Sequence, residues 1–285
     1  MSKLVSSKPA VIVISSHVAR GSVGNRAAVF ALEILGYPVW AIPTIILPWH
    51  PGHGPATRVK PDDQDFGQFL DDIANAPWIG EVSAVLTGYM SSQKQVLQTA
   101  RLIRTLKKRN PDLIHLCDPV IGDIEGLYLS QEVATAIRDE FIPICDISTP
   151  NRFELGWLTG EHTPTSLTET AGLAEKLGAD TVLVTSAVPE KEGHTGNFHY
   201  DKQAQFMISH PVMEDPPNGP GDLTAAVYLG HLLSGTNIKE NVRKTTASVY
   251  EILLHSAQRG SDELTLESDA QSIVSPKIEV LVEDL

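Results

Sequence analysis

The stretch "AVIVISSHVARGSVGNRAAVFALEILG", Ala10 to Gly36, decides how the rest of the chain is read. Ala10 to Ser16 is a continuous β-branched run of the kind found in strands covered on both faces, and "NRAAVFALEILG" behind it places apolar residues at helical spacing. The unit is strand, glycine loop, helix. It returns with "SAVLTGY" ahead of a helix over Ser91 to Lys108, and with "DLIHLCDP" ahead of one over Gln131 to Phe141. "DTVLVTS" then follows the helical "SLTETAGLAEKLGA". Strands separated by helices need crossover connections, so the expected fold class is α/β: a mostly parallel central sheet with helices on both faces. No low-complexity linker divides residues 1–285, which read as a single domain.

Two stretches interrupt the alternation. "LPWHPGHGPATRVKPDDQ", Leu47 to Gln64, is rich in Pro, Gly and His and reads as a small flap, a lid loop outside the core. "VPEKEGHTGNFHYD", from Val188, reads as a turn entering a hairpin with "AQFMISH" as partner, placing turn and hairpin over 188–208.

With 285 residues, 42% of them hydrophobic and 20% charged, the chain can bury a large core. Its formal net charge of -13 argues against nucleic acid or an anionic membrane surface as partner, because phosphates select basic faces. Cys117 and Cys145 sit beside strand-like runs with no disulfide framework around them and read as buried thiols in a reducing compartment, not as zinc ligands. The opening "MSKLVSSKPAVIVISS" has an apolar run too short to span a membrane and no convincing signal-peptide cleavage site, so a cytoplasmic location is expected.

In such sheets ligands bind beyond the carboxyl ends of the strands. Ser15, Ser16 and His17 follow the first strand, then Gly21, Gly24 and Asn25 before a helix. "DPVIGD" carries Asp118 and Asp123; "TPNRFE" carries Thr149, Asn151 and Glu154; "VTS" ends in Thr185 and Ser186. Each has an ordinary reading as well: an Asp-Pro turn, a capping box at Asn151 and Glu154, hydroxyls satisfying a turn. "PPNGPGDLTAAVYLG", Pro216 to Gly230, is more specific. Asp222 suits the first turn of a helix, but an acidic cap needs no Gly-Pro-Gly before it. Gly219 and Gly221 let the backbone approach a ligand, and amides at a helix N-terminus form an anion site beside a carboxylate able to deprotonate an alcohol.

The order of "SSHVARGSVGNRAA", "VLTGY", "CDPVIGD", "TPNRFEL", "VTS" and "GPGDLTAA" resembles the pyridoxal kinases of the ribokinase-like superfamily over nearly the whole chain. The resemblance implies transfer of the ATP γ-phosphate to the 5'-hydroxymethyl group of pyridoxal and related B6 vitamers, with Mg2+, often a monovalent cation such as K+, and a homodimeric assembly. It implies that Asp222 is the catalytic base, served by Gly219 and Gly221. Ser16, Thr44, His50 and Tyr89 would line the pyridine pocket. Asp118, Asn151, Glu154, Thr185, Ser186, Met213, Gly219 and Gly221 would lie along the nucleotide, with Asp118, Asp123, Thr149 and Glu154 at the metal. Family members commonly carry a segment like "FSNHTGY", where this chain reads "LPWHPGHG" and keeps His50 in register; Pro220 stands where the family often has Thr or Val. The alternatives are a hydroxymethylpyrimidine or sugar kinase of the same superfamily, or a non-catalytic carrier of a B6 vitamer. Hydroxymethylpyrimidine kinases typically place a cysteine where Asp222 stands, sugar kinases carry an early Gly-Gly hinge not found here, and a carrier has no need of a base.

Overall fold

A computed structural model describes residues 8–285. The expectation about a membrane span or signal peptide at the start of the chain rests partly on residues 1–7, which lie outside the described residues. β1 (Ala10–Val18), α1 (Asn25–Ile34) and β2 (Val39–Leu47) are followed by α2 (Asp63–Ala74), β3 (Val82–Thr87), α3 (Gln93–Arg109) and β4 (Ile114–Cys117). A small hairpin of β5 (Gly122–Asp123) and β6 (Gly126–Leu127) precedes α4 (Gln131–Glu140), β7 (Ile147–Ser148), α5 (Arg152–Thr159), α6 (Leu167–Leu177) and β8 (Thr181–Ala187). The chain continues through β9 (His194–Asp201), β10 (Gln205–Pro211), α7 (Pro220–Leu233), α8 (Ile238–Gln258), α9 (Ala270–Val274) and β11 (Leu281–Asp284).

The main sheet has the order β11-β10-β9-β8-β7-β4-β3-β1-β2. The pairings from β2 across to β8 are parallel, whereas β8, β9, β10 and β11 pair antiparallel. Val11 to Ile14 of β1 are fully buried, as a continuous apolar strand must be when helices cover both faces. Side chains of α1, α7, α8 and α9 pack one face and those of α2 to α6 the other. Each large apolar side chain taken fully out of water contributes roughly 1.5–3 kcal/mol. Leu223 to His231 of α7 are all buried, so this helix is apolar on every side and lies between α1 and α8. Gly230 permits the close approach to α1: a Cβ there would fall 2.5 Å from Leu35 Cδ1.

Several elements escaped the sequence pattern. β2 carries Pro43, which an edge strand tolerates because one side of its backbone lacks a partner. α2 contains Gly67, whose missing Cβ makes room for Gln98 Nε2, 2.5 Å from where it would be. α8 and β11 were likewise not anticipated. The lid bounds need correction: Leu47 ends β2 and is 5% exposed, and Asp63 and Gln64 open α2, so the loop proper is 48–62. Val59 returns to β2, exchanging two backbone hydrogen bonds of 2.8 and 3.0 Å with Ile46. The expected hairpin near 188–208 is present, with β9 antiparallel to both β8 and β10. Cys117 and Cys145 are buried free thiols. Among the described residues no helix is long and apolar enough to cross a membrane.

β1 lies between β2 and β3, so the strand order reverses at β1, and in such sheets the ligand crevice is expected beyond the carboxyl end of that strand.

Candidate active site

One wall of the crevice forms where β1 and β3 end. Ser15 Oγ accepts from the Tyr89 amide at 3.1 Å and Gly88 N donates to Ile14 O at 2.9 Å, fixing Tyr89 at the mouth. Gly88 is required there, since a Cβ would lie 2.6 Å from Ser15 Oγ. Val18, Val23, Ile45 and Leu47 form a small apolar cluster against the Tyr89 side chain, separate from the two main cores. Ser16 is nearly buried, and Gly24 (φ 57) packs so close that a Cβ would meet Ser16 Oγ at 2.4 Å. Thr44 is fully buried and donates to Tyr89 O at 2.8 Å, which places it beneath Tyr89 as a support. His50 stands on the 48–62 loop, where its Nδ1 accepts from Gly52 N at 3.2 Å; burial lowers its pKa. An apolar floor with hydroxyls at its rim fits a flat heteroaromatic ring carrying polar substituents.

The second wall is the N-terminus of α7. Gly219, its N-cap, has φ 101, and a Cβ there would be 2.3 Å from Ser22 O, so only glycine fits. No side chain caps this end. Pro220 has no N–H, and among the described residues the amides of Gly221 and Asp222 find no hydrogen-bond partner. A Cβ on Gly221 would point into open space, where an anion held by these amides would sit. The Asp222 carboxyl lies at the same place; burial pushes its pKa up to about 6, opposed by the nearby Gly24 backbone.

Asp118, 6% exposed, follows β4, and burial with the charges of Asp222 and Glu154 holds its pKa well above the ordinary carboxylate value. Thr149 Oγ1 donates to Asp118 Oδ1 at 3.2 Å. Glu154 is differently placed. Its Oε2 accepts from Asn151 N at 2.9 Å and its Oε1 from Ile121 N at 2.8 Å and Gly122 N at 3.4 Å, while Asn151 Oδ1 accepts from Glu154 N at 2.9 Å. This is a complete capping box on α5 that also ties the turn after Asp118. Burial raises the Glu154 pKa to about 7, against the pull of those amides. Asp123 stands on the β5–β6 hairpin, engaged by the Tyr128 hydroxyl and the Glu125 amide. Among the described residues no three His, Cys, Asp or Glu side chains gather closely enough to hold a metal unaided.

Beside the α7 N-terminus lies a cavity of about 150 Å³. Thr185, Ser186, Met213, Pro220 and Gly221 line it together with Val212, Val249 and Leu253. Ser186 adopts φ 53, uncommon for a residue with a Cβ, at the end of β8. Thr185 N donates to Pro150 O at 2.8 Å, aligning this strand end with the Asn151 turn. Apolar walls beside free amides suit a planar base joined to phosphates. Sequence reasoning missed Val23 and Leu47, whose role comes only from packing on Tyr89, and His210, which lines the cavity and stacks on Tyr250 with ring centroids 4.1 Å apart. No local signal marks these residues.

A profile of the family described as phosphomethylpyrimidine kinase matches residues 69–267. The pyridoxal kinase of Rubrobacter xylanophilus is 34% identical, covering 94% of this chain and 94% of its own length. That of Corynebacterium diphtheriae is 30% identical, covering 96% and 99%. The pyridoxal kinase of Leishmania donovani, solved in complex with ADP and pyridoxine, superposes with a TM-score of 0.90 at 26% identity, covering 97% of this chain and 99% of that one. With the ordered strand ends and the glycine-flanked N-terminus of α7 in place, the chain belongs to the pyridoxal kinase family of the ribokinase-like superfamily.

Proposed function

We propose that this chain, acting as one kinase domain, transfers the γ-phosphoryl group of ATP to the 5'-hydroxymethyl oxygen of pyridoxal and related B6 vitamers, yielding the 5'-phosphate and ADP. The observation that carries the reading is the α7 N-terminus: an uncapped helix end with two unpartnered amides, an open approach at Gly221, and a carboxyl whose pKa is raised to about 6. A base of that strength is ionised at neutral pH yet able to take an alcohol proton as the bond to phosphorus forms. The bond from the γ-phosphorus to the bridging oxygen breaks, and ADP leaves. The amides of Gly221 and Asp222 hold the charge on the transferring group in a site built before substrate arrives.

The acceptor lies against the Val18, Val23, Ile45 and Leu47 cluster and Tyr89, with Ser16 and His50 at its polar edge. The nucleotide occupies the cavity of Thr185, Ser186 and Met213, its phosphates directed at Gly221. Mg2+ fits this chemistry, because Asp118 is a buried carboxylate facing the charge of Asp222 with only the Thr149 hydroxyl donating to it. Asp118 would hold the ion together with phosphate oxygens. When bound, the ion neutralises charge on the nucleotide that an acidic protein would otherwise repel. The capping box leaves Glu154 and Asn151 as the frame that positions Asp118. We further place the protein in the cytoplasm as a homodimer, which fractionation and light scattering test, and assign it a monovalent cation, which omission of K+ tests.

The deciding experiment is a substrate panel of pyridoxal, pyridoxine, pyridoxamine and hydroxymethylpyrimidine with MgATP, following ADP release and phosphorylated product. Turnover of the B6 vitamers above hydroxymethylpyrimidine is expected. Preference for hydroxymethylpyrimidine would reassign the acceptor; vitamer binding without ADP release would make the protein a carrier.

A further inference from the structure

The carboxyl of Glu263, in the loop after α8, is only 6% exposed and serves no step above. Such a group is costly to bury unless partners surround it. Its partners come from the lid and from the β1–α1 loop. His53 of the lid places Nε2 2.7 Å from Glu263 Oε1, and because an ionised carboxylate only accepts, the ring donates that proton. Ser22 N, in the β1–α1 loop, donates to Oε2 at 3.3 Å, and Arg20 Nη1 lies 3.9 Å from Oε1. Gly21 admits the carboxylate to this loop: at φ 109 a Cβ would fall 2.6 Å from Oε1. The backbone of Glu263 also bridges to Asn218, one residue before the Gly219 N-cap. The neighbouring Asp262 repeats the arrangement more loosely, with Arg20 at 2.7 Å and His53 Nδ1 at 3.6 Å.

We propose that Glu263 is a positioning residue for the acceptor site, a buried latch that docks the lid through His53 onto the β1–α1 loop, which follows Ser16, and onto the loop that carries the phosphate-binding glycines. The lid is held at two points, the His53–Glu263 contact and the Ile46–Val59 backbone pair. His50 stands on the same loop, its ring centroid 6.3 Å from that of His53. Undocking His53 would strip Glu263 of its shortest hydrogen bond and leave a carboxylate with only an amide and a distant guanidinium. The latch therefore favours the closed lid, and it acts on the acceptor side of the crevice, away from the cavity of Thr185 and Met213. The proposal rests on the kinase reading for its substrate but not for its geometry.

His53→Ala, Glu263→Ala and the double variant test it in the full chain, with melting temperature as the control for folding. The His53 side chain is partly exposed, so its loss leaves the core untouched. The first readout needs no activity. Trypsin cleaves Arg58–Val59, a bond at the edge of the lid's backbone pair, while Lys60 is protected by Pro61. Each single variant is expected to be cut about fivefold faster than the parent, the double variant no faster than the singles, and His53→Gln, which keeps a donor, close to the parent. The second readout is kinetic: KM for pyridoxal rises about tenfold, while KM for ATP and kcat stay within about threefold. Cleavage of His53→Ala at the parental rate, or effects that multiply in the double variant, would overturn the latch. So would a fall in kcat at unchanged pyridoxal KM. If the parent fails to phosphorylate pyridoxal, the kinase reading falls while the proteolysis still decides the latch.

Discussion

The N-termini of α5 and α7 both carry an acidic residue in the first turn, and they are finished in opposite ways. At α5 the carboxylate of Glu154 is closed on three backbone amides and the Asn151 side chain caps the helix in return. At α7 glycine and proline replace the cap, and among the described residues two amides remain without partners and the carboxyl of Asp222 lies close to the Gly24 backbone. Both carboxyls have raised pKa values from burial. What separates them is occupancy: a carboxylate whose lone pairs are taken holds a frame together, and one whose lone pairs are open can accept a proton from substrate.

Substitutions at the two ends should separate accordingly. Asp222→Asn keeps the shape and removes the proton acceptor, so kcat should fall about a hundredfold or more with pyridoxal affinity and melting temperature little changed. Near-normal turnover would reduce Asp222 to a helix-end charge. Gly221→Ala adds a Cβ that meets nothing in the protein, so the fold should be unaffected. The phosphate path should nevertheless be obstructed, and kcat should drop about tenfold to a hundredfold. Pro220→Thr should change kcat by less than about tenfold, since the free amides belong to its neighbours. A large gain there would show that the site lacks a donor.

The pH dependence follows from Asp222. Its folded-state pKa of about 6 lies above the ordinary 3.8, so the folded chain holds that proton more tightly than the unfolded chain does. Its contribution to stability therefore declines as pH rises through that window, while kcat/KM should climb toward a plateau above about pH 6 as the base ionises. Asp222→Asn should abolish the climb in a pH–rate profile. The smallest expected effect on catalysis is at α5. Glu154→Gln leaves an amide facing an amide, so stability should fall by about 1–3 kcal/mol in a denaturant titration, with kcat at saturating MgATP changed less than about threefold. A shifted Mg2+ requirement at unchanged stability would move Glu154 back to the metal.

Much of this was legible in the sequence because the signals are local. A β-branched run, a helical period and a glycine loop are properties of adjacent residues, and they gave the strands β1, β3, β4 and β8 with their helices. β2 and α2 were not legible: Pro43 and Gly67 weaken the period, and their tolerance depends on an unpaired sheet edge and on the position of Gln98. Of the site, Ser16, Tyr89, Asp118, Asp222 and the glycines stand where their strand ends and helix end put them. Thr44 donates to Tyr89 O, and Asp123 accepts from Glu125 N and the Tyr128 hydroxyl within its own hairpin.

The order of motifs along the chain was enough for the α/β class, the kinase family and the residue at the head of α7, because each of these is written in neighbouring residues. Which carboxylate is free and which is spent was settled by folding. Glu154 meets Ile121 and Gly122, and His53 meets Glu263 across 210 residues of chain. A hydrogen bond made through space leaves no spacing in the sequence, and the burial that raises these pKa values exists only once the sheet and its two helical layers have closed.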